Sequence, residues 1–259
     1  MTKNRTYVIL IIIIIVFFGV MFGLFGIRNL QSQKQEVTLL VGDNTIWHYK
    51  KKKWYLIKKN AQIQKLNWQT YQVYSNNEKV GSYSLWHDDK WYAFDSKNNA
   101  VPLNGSLLAY RANFDMQVAS FQEDKIDDRT YVDEILTENN LSISSEFTSS
   151  SKVSIDYDSD GKKEDFYVIS NAFPLDFNPD TIFSFVFMVK DGKIFPIYTD
   201  ISPNHSFNGC KPFFSSFLDT NHDGKYEFVL SCGRYSVAEQ VDMLYHFENG
   251  EFKIIISNQ

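Results

Sequence analysis

Short apolar runs joined by turn-forming residues recur along most of the chain, and they constrain its fold more than any other feature. Two pairs of runs turn at an Asp-Gly dipeptide, residues 191–192, and at an Asn-Gly dipeptide, residues 249–250. These dipeptides are among the strongest hairpin signals, because the turn needs residues that accept a left-handed backbone. Residues 46–57 and 85–94 have the same outline, with tryptophans but without a glycine turn. The pattern predicts an all-β protein built from repeated hairpins.

Four similar hairpins in about 220 residues imply a unit that recurs roughly every 40–60 residues, a spacing typical of propeller blades. A small or incomplete β-propeller is therefore predicted, with a β-sandwich as the alternative. One short helix is predicted from Thr130 to Asn139, where Thr130 and Asp133 resemble a capping box. The helix divides the β structure into a tryptophan-rich hairpin region, a linker and a second β region, at residues 36–122, 123–150 and 151–259.

The most specific motif is an acidic loop that occurs twice in the second β region, at residues 156–164 and 219–227. In each loop, oxygen-bearing side chains stand at positions 1, 3, 5 and 9, and a glycine stands at position 6. An oxygen-only set selects a hard cation, so the sequence predicts two structural Ca²⁺ sites. The candidate ligands are Asp156, Asp158, Asp160 and Glu164 in the first loop, and Asp219, Asn221, Asp223 and Glu227 in the second.

These loops are not EF-hands. An EF-hand has a bidentate Glu at position 12 and a helix on each side, whereas position 12 here is Tyr167 in one loop and Leu230 in the other. Both of those residues lie in strand-like apolar runs. An acidic turn held by its own side-chain hydrogen bonds, without an ion, is the alternative interpretation.

An acidic loop, an apolar strand and a further hairpin follow one another in both copies. In this order the second β region resembles the calcium-binding repeats of integrin-α-like β-propellers, the FG-GAP/VCBS class. The resemblance covers residues 150–259, while the Phe-Gly and Gly-Ala-Pro signatures of that class are absent. It implies that each loop joins two strands of one blade, and that calcium stiffens the turn without taking part in a reaction.

Residues 7–27 form a run of 21 residues without a charge. A helix of that length extends roughly 31 Å, the thickness of a bilayer's hydrocarbon core. The run therefore predicts an uncleaved transmembrane anchor, preceded by a tail at residues 1–6 and followed by a linker at residues 28–35. A signal peptide is the alternative, but no cleavage site of the A-x-A type follows the run.

Two observations indicate the orientation of this anchor. Lys3 and Arg5 precede it and slightly favour a cytoplasmic N-terminus. Cys210 and Cys232, the two cysteines of the chain, flank the second acidic loop. An isolated pair around a turn favours a disulfide in an oxidising compartment, with two unrelated thiols as the alternative. The predicted protein crosses the membrane once and has its C-terminal domain outside the cytoplasm.

The formal charge of −5 is too mild for a nucleic-acid binder, and it is unevenly distributed. Residues 36–120 hold 11 Lys and Arg against 7 Asp and Glu, whereas residues 121–259 hold 11 against 24. All five tryptophans fall between residues 47 and 91. Core packing explains such a cluster most simply, and an aromatic face that meets a protein or glycan partner is the alternative.

No catalytic residue can be named from the sequence. The chain contains no nucleophile elbow, zinc-protease motif, P-loop or dinucleotide-binding motif. We therefore predict a membrane-anchored extracytoplasmic binding module with structural calcium. The alternatives are an anchored hydrolase whose acid pair carries no local motif, and an accessory subunit of a membrane complex that uses its helix as an interface.

Overall fold

The computed structural model describes residues 35–259 apart from 43–44, 76–77, 89, 102–106, 173–180, 204–209 and 235–238. The predicted tail, the predicted membrane segment at residues 7–27 and nearly all of its linker lie outside these residues. Within the described part, no helix combines the length and the apolar character needed to cross a bilayer.

Eight strands form one antiparallel sheet, which we call the N-terminal sheet. They are β1 Glu36–Val41, β2 Thr45–Lys50, β3 Lys53–Leu56, β4 Gln69–Ser75, β5 Glu78–His87, β6 Trp91–Phe94, β7 Ala100–Val101 and β8 Leu107–Ala112. Their order across the sheet is β3-β2-β1-β8-β4-β5-β6-β7. Between β3 and β4 lie a one-turn helix, α1 (Asn60–Ile63), and a 3₁₀ turn (Gln64–Leu66).

Two further antiparallel sheets follow. The outer sheet consists, in spatial order, of β10 Ser149–Ile155, β11 Glu164–Ser170, β12 Thr181–Lys190 and β13 Lys193–Pro203. The inner sheet contains β14 Cys210–Asp219, β15 Glu227–Arg234, β16 Glu239–Glu248 and β17 Glu251–Ser257, with β9 Gln117–Ala119 added beside β14. Helix α2 (Thr130–Glu138) precedes β10 in the chain.

The outer sheet and strands β14–β17 share one topology, a four-stranded antiparallel meander, and we refer to them as its first and second copies. In each copy an acidic loop joins the first two strands, and a tight turn joins the last two. The four predicted hairpins are all present as antiparallel pairs, β2–β3, β5–β6, β12–β13 and β16–β17. At both glycine turns the two central residues have positive φ, which is the backbone that Asp-Gly and Asn-Gly were expected to supply.

The inner sheet lies between the other two sheets because both of its faces are apolar. On one face, Phe228 of β15 packs against Phe166 of β11 with ring centroids 5.7 Å apart. On the other face, Val229 packs in a cluster with Leu39 and Trp47 of the N-terminal sheet. Alternate residues of β15 therefore face opposite neighbours, as the pleat of a strand requires.

Both ends of this stack are covered. Val132 and Leu136 of α2 pack on Tyr167 and Ile169, on the face of the outer sheet that points away from the inner sheet. At the other end, the second face of the N-terminal sheet is filled by its own side chains together with residues from around α1. The predicted all-β class is confirmed, and the three sheets form an open stack rather than a closed ring.

The helix at residues 130–138 is also confirmed, but its predicted capping box is wrong. Arg129 occupies the N-cap position without a side-chain cap bond. Asp128 supplies the acceptor instead, since its Oδ1 receives the backbone N–H of Thr130 at 2.9 Å and the Thr130 hydroxyl at 2.7 Å. Asp133 pairs with Arg129 at 3.1 Å rather than reaching back to the first turn.

Candidate metal centre

The two acidic loops have the same backbone. Each leaves the first strand of its meander and re-enters the second strand at the acid of position 9, Glu164 or Glu227. Position 4 has a left-handed φ of 57° in the first loop and 60° in the second. Position 6 is glycine with φ of 88° and 85°, a conformation that is unfavourable for residues with a Cβ atom.

Three hydrogen bonds recur in both loops with closely similar lengths. The position 1 carboxylate accepts from the glycine N–H, at 3.1 Å in Asp156 and 3.0 Å in Asp219. The position 5 carboxylate accepts from the N–H two residues later, at 2.8 Å and 2.9 Å. The position 9 carboxylate accepts from the N–H of position 2, at 3.0 Å in Glu164 and 2.9 Å in Glu227. These bonds hold the three carboxylates against the backbone of the loop.

Among the described residues, acids converge closely enough to hold a metal only in the first loop; Asp219, Asp223 and Glu227 of the second loop form no such group. One oxygen from each of Asp156, Asp158 and Glu164 lies within 4.8 Å of the other two, and the Glu164 side chain is only 2% exposed. The Oδ1 atoms of Asp156 and Asp158 are shielded from solvent and have no hydrogen-bond partner among the described residues. Buried carboxylate oxygens without donors are costly, so this cluster favours a cation.

A lysine ammonium already reaches this cluster. Lys190 Nζ lies 2.6 Å from Asp158 Oδ2, 3.1 Å from Glu164 Oε1 and 3.2 Å from Asp160 Oδ2. Partial burial acts to lower the pKa of Lys190, but its hydrogen bonds to these three carboxylates outweigh burial and raise that pKa above its usual range. The hydrogen bonds from the Lys162 N–H and from Lys190 lower the pKa of Asp160.

The second loop is closed by its own donors instead. Glu227 Oε2 accepts from the N–H and the hydroxyl of Thr220, at 2.9 Å and 2.7 Å, and Glu227 Oε1 accepts from Asn221 Nδ2 at 3.1 Å. Burial raises the pKa of Glu227 to about 7; the Thr220 hydrogen bonds oppose that rise, and Asp223 and Asp219 add to it. Among the described residues, no ion pair reaches the acids of this loop.

The two loops lie against each other. The Ser159 hydroxyl donates to the carbonyl of Gly224 at 2.6 Å, and the Tyr226 N–H donates to the carbonyl of Tyr157 at 3.0 Å. Gln35, at the start of the described chain, donates from Nε2 to the Asn221 carbonyl at 3.1 Å. All eight predicted ligands therefore belong to one acidic edge of the outer and inner sheets.

The predicted disulfide is present, since Cys210 and Cys232 are bonded, with their Cα atoms 5.4 Å apart. Both residues are buried. They lie at the end of the β14–β15 hairpin opposite the second loop. The bond therefore fixes the base of the hairpin whose tip carries four of the predicted ligands.

The tryptophans divide between core and surface. Trp47 and Trp91 are buried, as core packing predicts, whereas Trp68 is 55% exposed. Trp68 lies 5.2 Å from Phe94, and Trp86 lies 5.6 Å from its cross-strand partner Tyr92, measured between ring centroids. The side chains of Trp86, Tyr92 and Phe94 share one face of the β5–β6 hairpin. We call Trp68, Trp86, Tyr92 and Phe94 the aromatic face.

Lys190 is the site residue that the sequence reasoning missed. The residue before the tight turn is Lys190 in the first copy of the meander and Glu248 in the second. Aligning the two copies in the sequence would have revealed this difference.

Comparisons with known proteins add no further information: no family model matches the chain, and no curated protein or solved structure shows a significant match.

Proposed function

We propose that this protein is a membrane-anchored extracytoplasmic binding module whose acidic edge holds structural Ca²⁺. The single observation that carries the proposal is the repetition of one loop. Two segments 63 residues apart in sequence adopt the same backbone, repeat the same three hydrogen bonds and lie in contact. An acidic turn that only closes a hairpin through its own hydrogen bonds gives no reason for a second turn of the same kind beside it.

The ligands follow from the loop positions. In the second loop, side-chain oxygens of Asp219, Asn221, Asp223 and Glu227 would surround the ion, and the backbone carbonyl of Lys225 at position 7 would complete the set. The first loop offers the corresponding four acids and the carbonyl of Lys162. Calcium bound there neutralises carboxylates that otherwise repel one another, and it fixes two hairpin tips in one position. Affinities of about 10⁻⁴ to 10⁻³ M are typical of extracellular modules and suit a permanently filled site.

Thermal unfolding of the full chain in detergent tests this role. Calcium at about ten times its Kd stabilises by about 1.4 kcal/mol per site, so two sites raise the melting temperature by roughly 6–12 °C. The double variant Asp160→Ala with Asp223→Ala is expected to lose this rise. Asp95→Ala with Asp128→Ala is the matched control, because each of these acids accepts a backbone N–H group away from the loops. An equal rise in both double variants, or none in the unaltered chain, contradicts the proposal.

The location is tested separately. We propose that residues 7–27 span the membrane and that the β domain lies on the oxidising side, which the Cys210–Cys232 disulfide supports. Protease added to intact cells is then expected to remove the β domain, and a gel shift with a thiol reagent is expected only after reduction. Protection of the domain in intact cells contradicts this orientation.

The aromatic face is the surface we assign to a protein or glycan partner. Aromatic side chains are enriched at interaction surfaces, and Trp68 is the most exposed tryptophan among the described residues. A photo-crosslinking residue placed at Trp68 is expected to capture the partner in native membranes. The control position is Ile143, which is 57% exposed and lies outside the N-terminal sheet. Equal crosslinking from both positions contradicts the assignment.

A further inference from the structure

Lys190 fastens one hairpin to the first acidic loop. It is the last residue of β12, and the β12–β13 turn follows it directly. Its ammonium contacts the acids of positions 3, 5 and 9 at 2.6–3.2 Å. Next to it, Lys162 Nζ of the loop lies 3.7 Å from the Asp191 carboxylate of the turn. The hairpin tip is therefore attached to the loop through the oxygens that a cation needs.

The second copy of the meander lacks this arrangement. The residue before its turn is Glu248, an acid, whose carboxylate pairs with Lys253 at 3.2 Å. The second loop has the same backbone as the first, yet within the described residues no lysine pairs with its acids. The two loops therefore differ in whether an ammonium contacts their acids.

An ammonium is an incomplete substitute for a divalent ion in this cage. It carries one charge and has three donors, which Asp158, Asp160 and Glu164 already engage. The Oδ1 atoms of Asp156 and Asp158 remain buried and have no hydrogen-bond partner among the described residues. Calcium takes six to eight oxygens at about 2.3–2.6 Å, and an ammonium on Asp158, Asp160 and Glu164 opposes it by charge repulsion and by holding one oxygen of each acid.

We propose that Lys190 is a tethered cation that competes with Ca²⁺ for the first loop. The second loop then fills at lower calcium, and the first loop fills only when Lys190 leaves its acids and detaches the β12–β13 turn. This inference rests on the proposed calcium function. It adds an order of filling and a movement of one hairpin that the two similar motifs do not suggest.

Calorimetric titration of the full chain with calcium tests the inference in two backgrounds. Asp223→Ala leaves the first loop intact, and there Lys190→Met is expected to raise calcium affinity about ten-fold or more, since three partly buried contacts no longer compete. Lys162→Met is the matched control: it removes an equal charge beside the first loop from a lysine that pairs with Asp191 rather than with the three acids, and it is expected to change affinity less than about three-fold. Lys190→Gln keeps a similar chain length, and we expect it to change affinity in the same direction as Lys190→Met.

The outcomes separate the two proposals. If Lys190→Met leaves the affinity of the first loop unchanged, or if that loop binds no calcium even without Lys190, the inference is wrong. Asp160→Ala leaves the second loop intact. If this variant binds no calcium, the proposed calcium function of the second loop is wrong, whatever the first loop shows. Where a lysine variant unfolds without calcium, the calcium concentration at which near-ultraviolet circular dichroism recovers gives the same comparison.

Discussion

Replacing Phe166 with alanine is expected to weaken the packing of the outer sheet on the inner sheet. Phe166 is fully buried, and its ring lies 5.1–5.8 Å from Phe214, Phe217 and Phe228 of the inner sheet and from Tyr157 of the first loop. A buried Phe→Ala change costs about 3–5 kcal/mol, because it removes apolar contacts and leaves a cavity. For a domain of this size the melting temperature then falls by roughly 6–20 °C.

Thermal and denaturant unfolding measure this loss. Phe166→Leu keeps most of the volume and is expected to cost less than about 1.5 kcal/mol. Ile254→Ala is the surface control, because Ile254 is about half exposed in β17 and its truncation is expected to change stability by less than about 0.5 kcal/mol. A cost below about 1 kcal/mol for Phe166→Ala would refute the stacked arrangement, because the cluster could not then lie between the sheets.

Three further predictions concern other elements. Reduction of the Cys210–Cys232 disulfide, which spans 22 residues, is expected to cost about 3 kcal/mol; unfolding with and without reductant measures it, and no change contradicts it. Lys52→Gly is expected to stabilise by about 1 kcal/mol, since Lys52 has a φ of 63° in the β2–β3 turn; Lys53→Gly, in the following strand, is expected to destabilise instead. Asp128→Ala is expected to lower the free energy of unfolding by about 1 kcal/mol, because it removes the acceptor at the start of α2. Glu123→Ala is the control, and an equal loss of stability from it would show that the bonds to Asp128 contribute nothing.

Local structure was predictable because the signals are local. The Asp-Gly and Asn-Gly turns need positive φ at two adjacent residues, and both adopt it. The acidic loops were predictable for the same reason, since the glycine of position 6 and the acids of positions 1, 5 and 9 close the turn with bonds inside nine residues. The disulfide follows from two cysteines on paired strands.

The layering of the sheets was not predictable, because it depends on contacts between distant segments. Strand β9 pairs with β14 across about a hundred residues, and no repeat or turn motif announces so short a strand. The alternation of Phe228 and Val229 shows that β15 has two apolar faces, but it does not identify the sheets that cover them. The role of Lys190 was not predictable for a similar reason, because Lys190 lies in a hairpin that follows the first loop at a distance in sequence and contacts it only in the fold.

Crystals of the protein grown with millimolar calcium, and measured at a wavelength where calcium scatters anomalously, test the calcium site most directly. We expect an anomalous peak in the second loop, surrounded at about 2.3–2.6 Å by oxygens of Asp219, Asn221, Asp223 and Glu227. At low occupancy of the first loop, Lys190 is expected to remain on its three acids. A second loop without a peak at saturating calcium, with its carboxylates still held only by donors of the loop itself, would contradict the proposed calcium site.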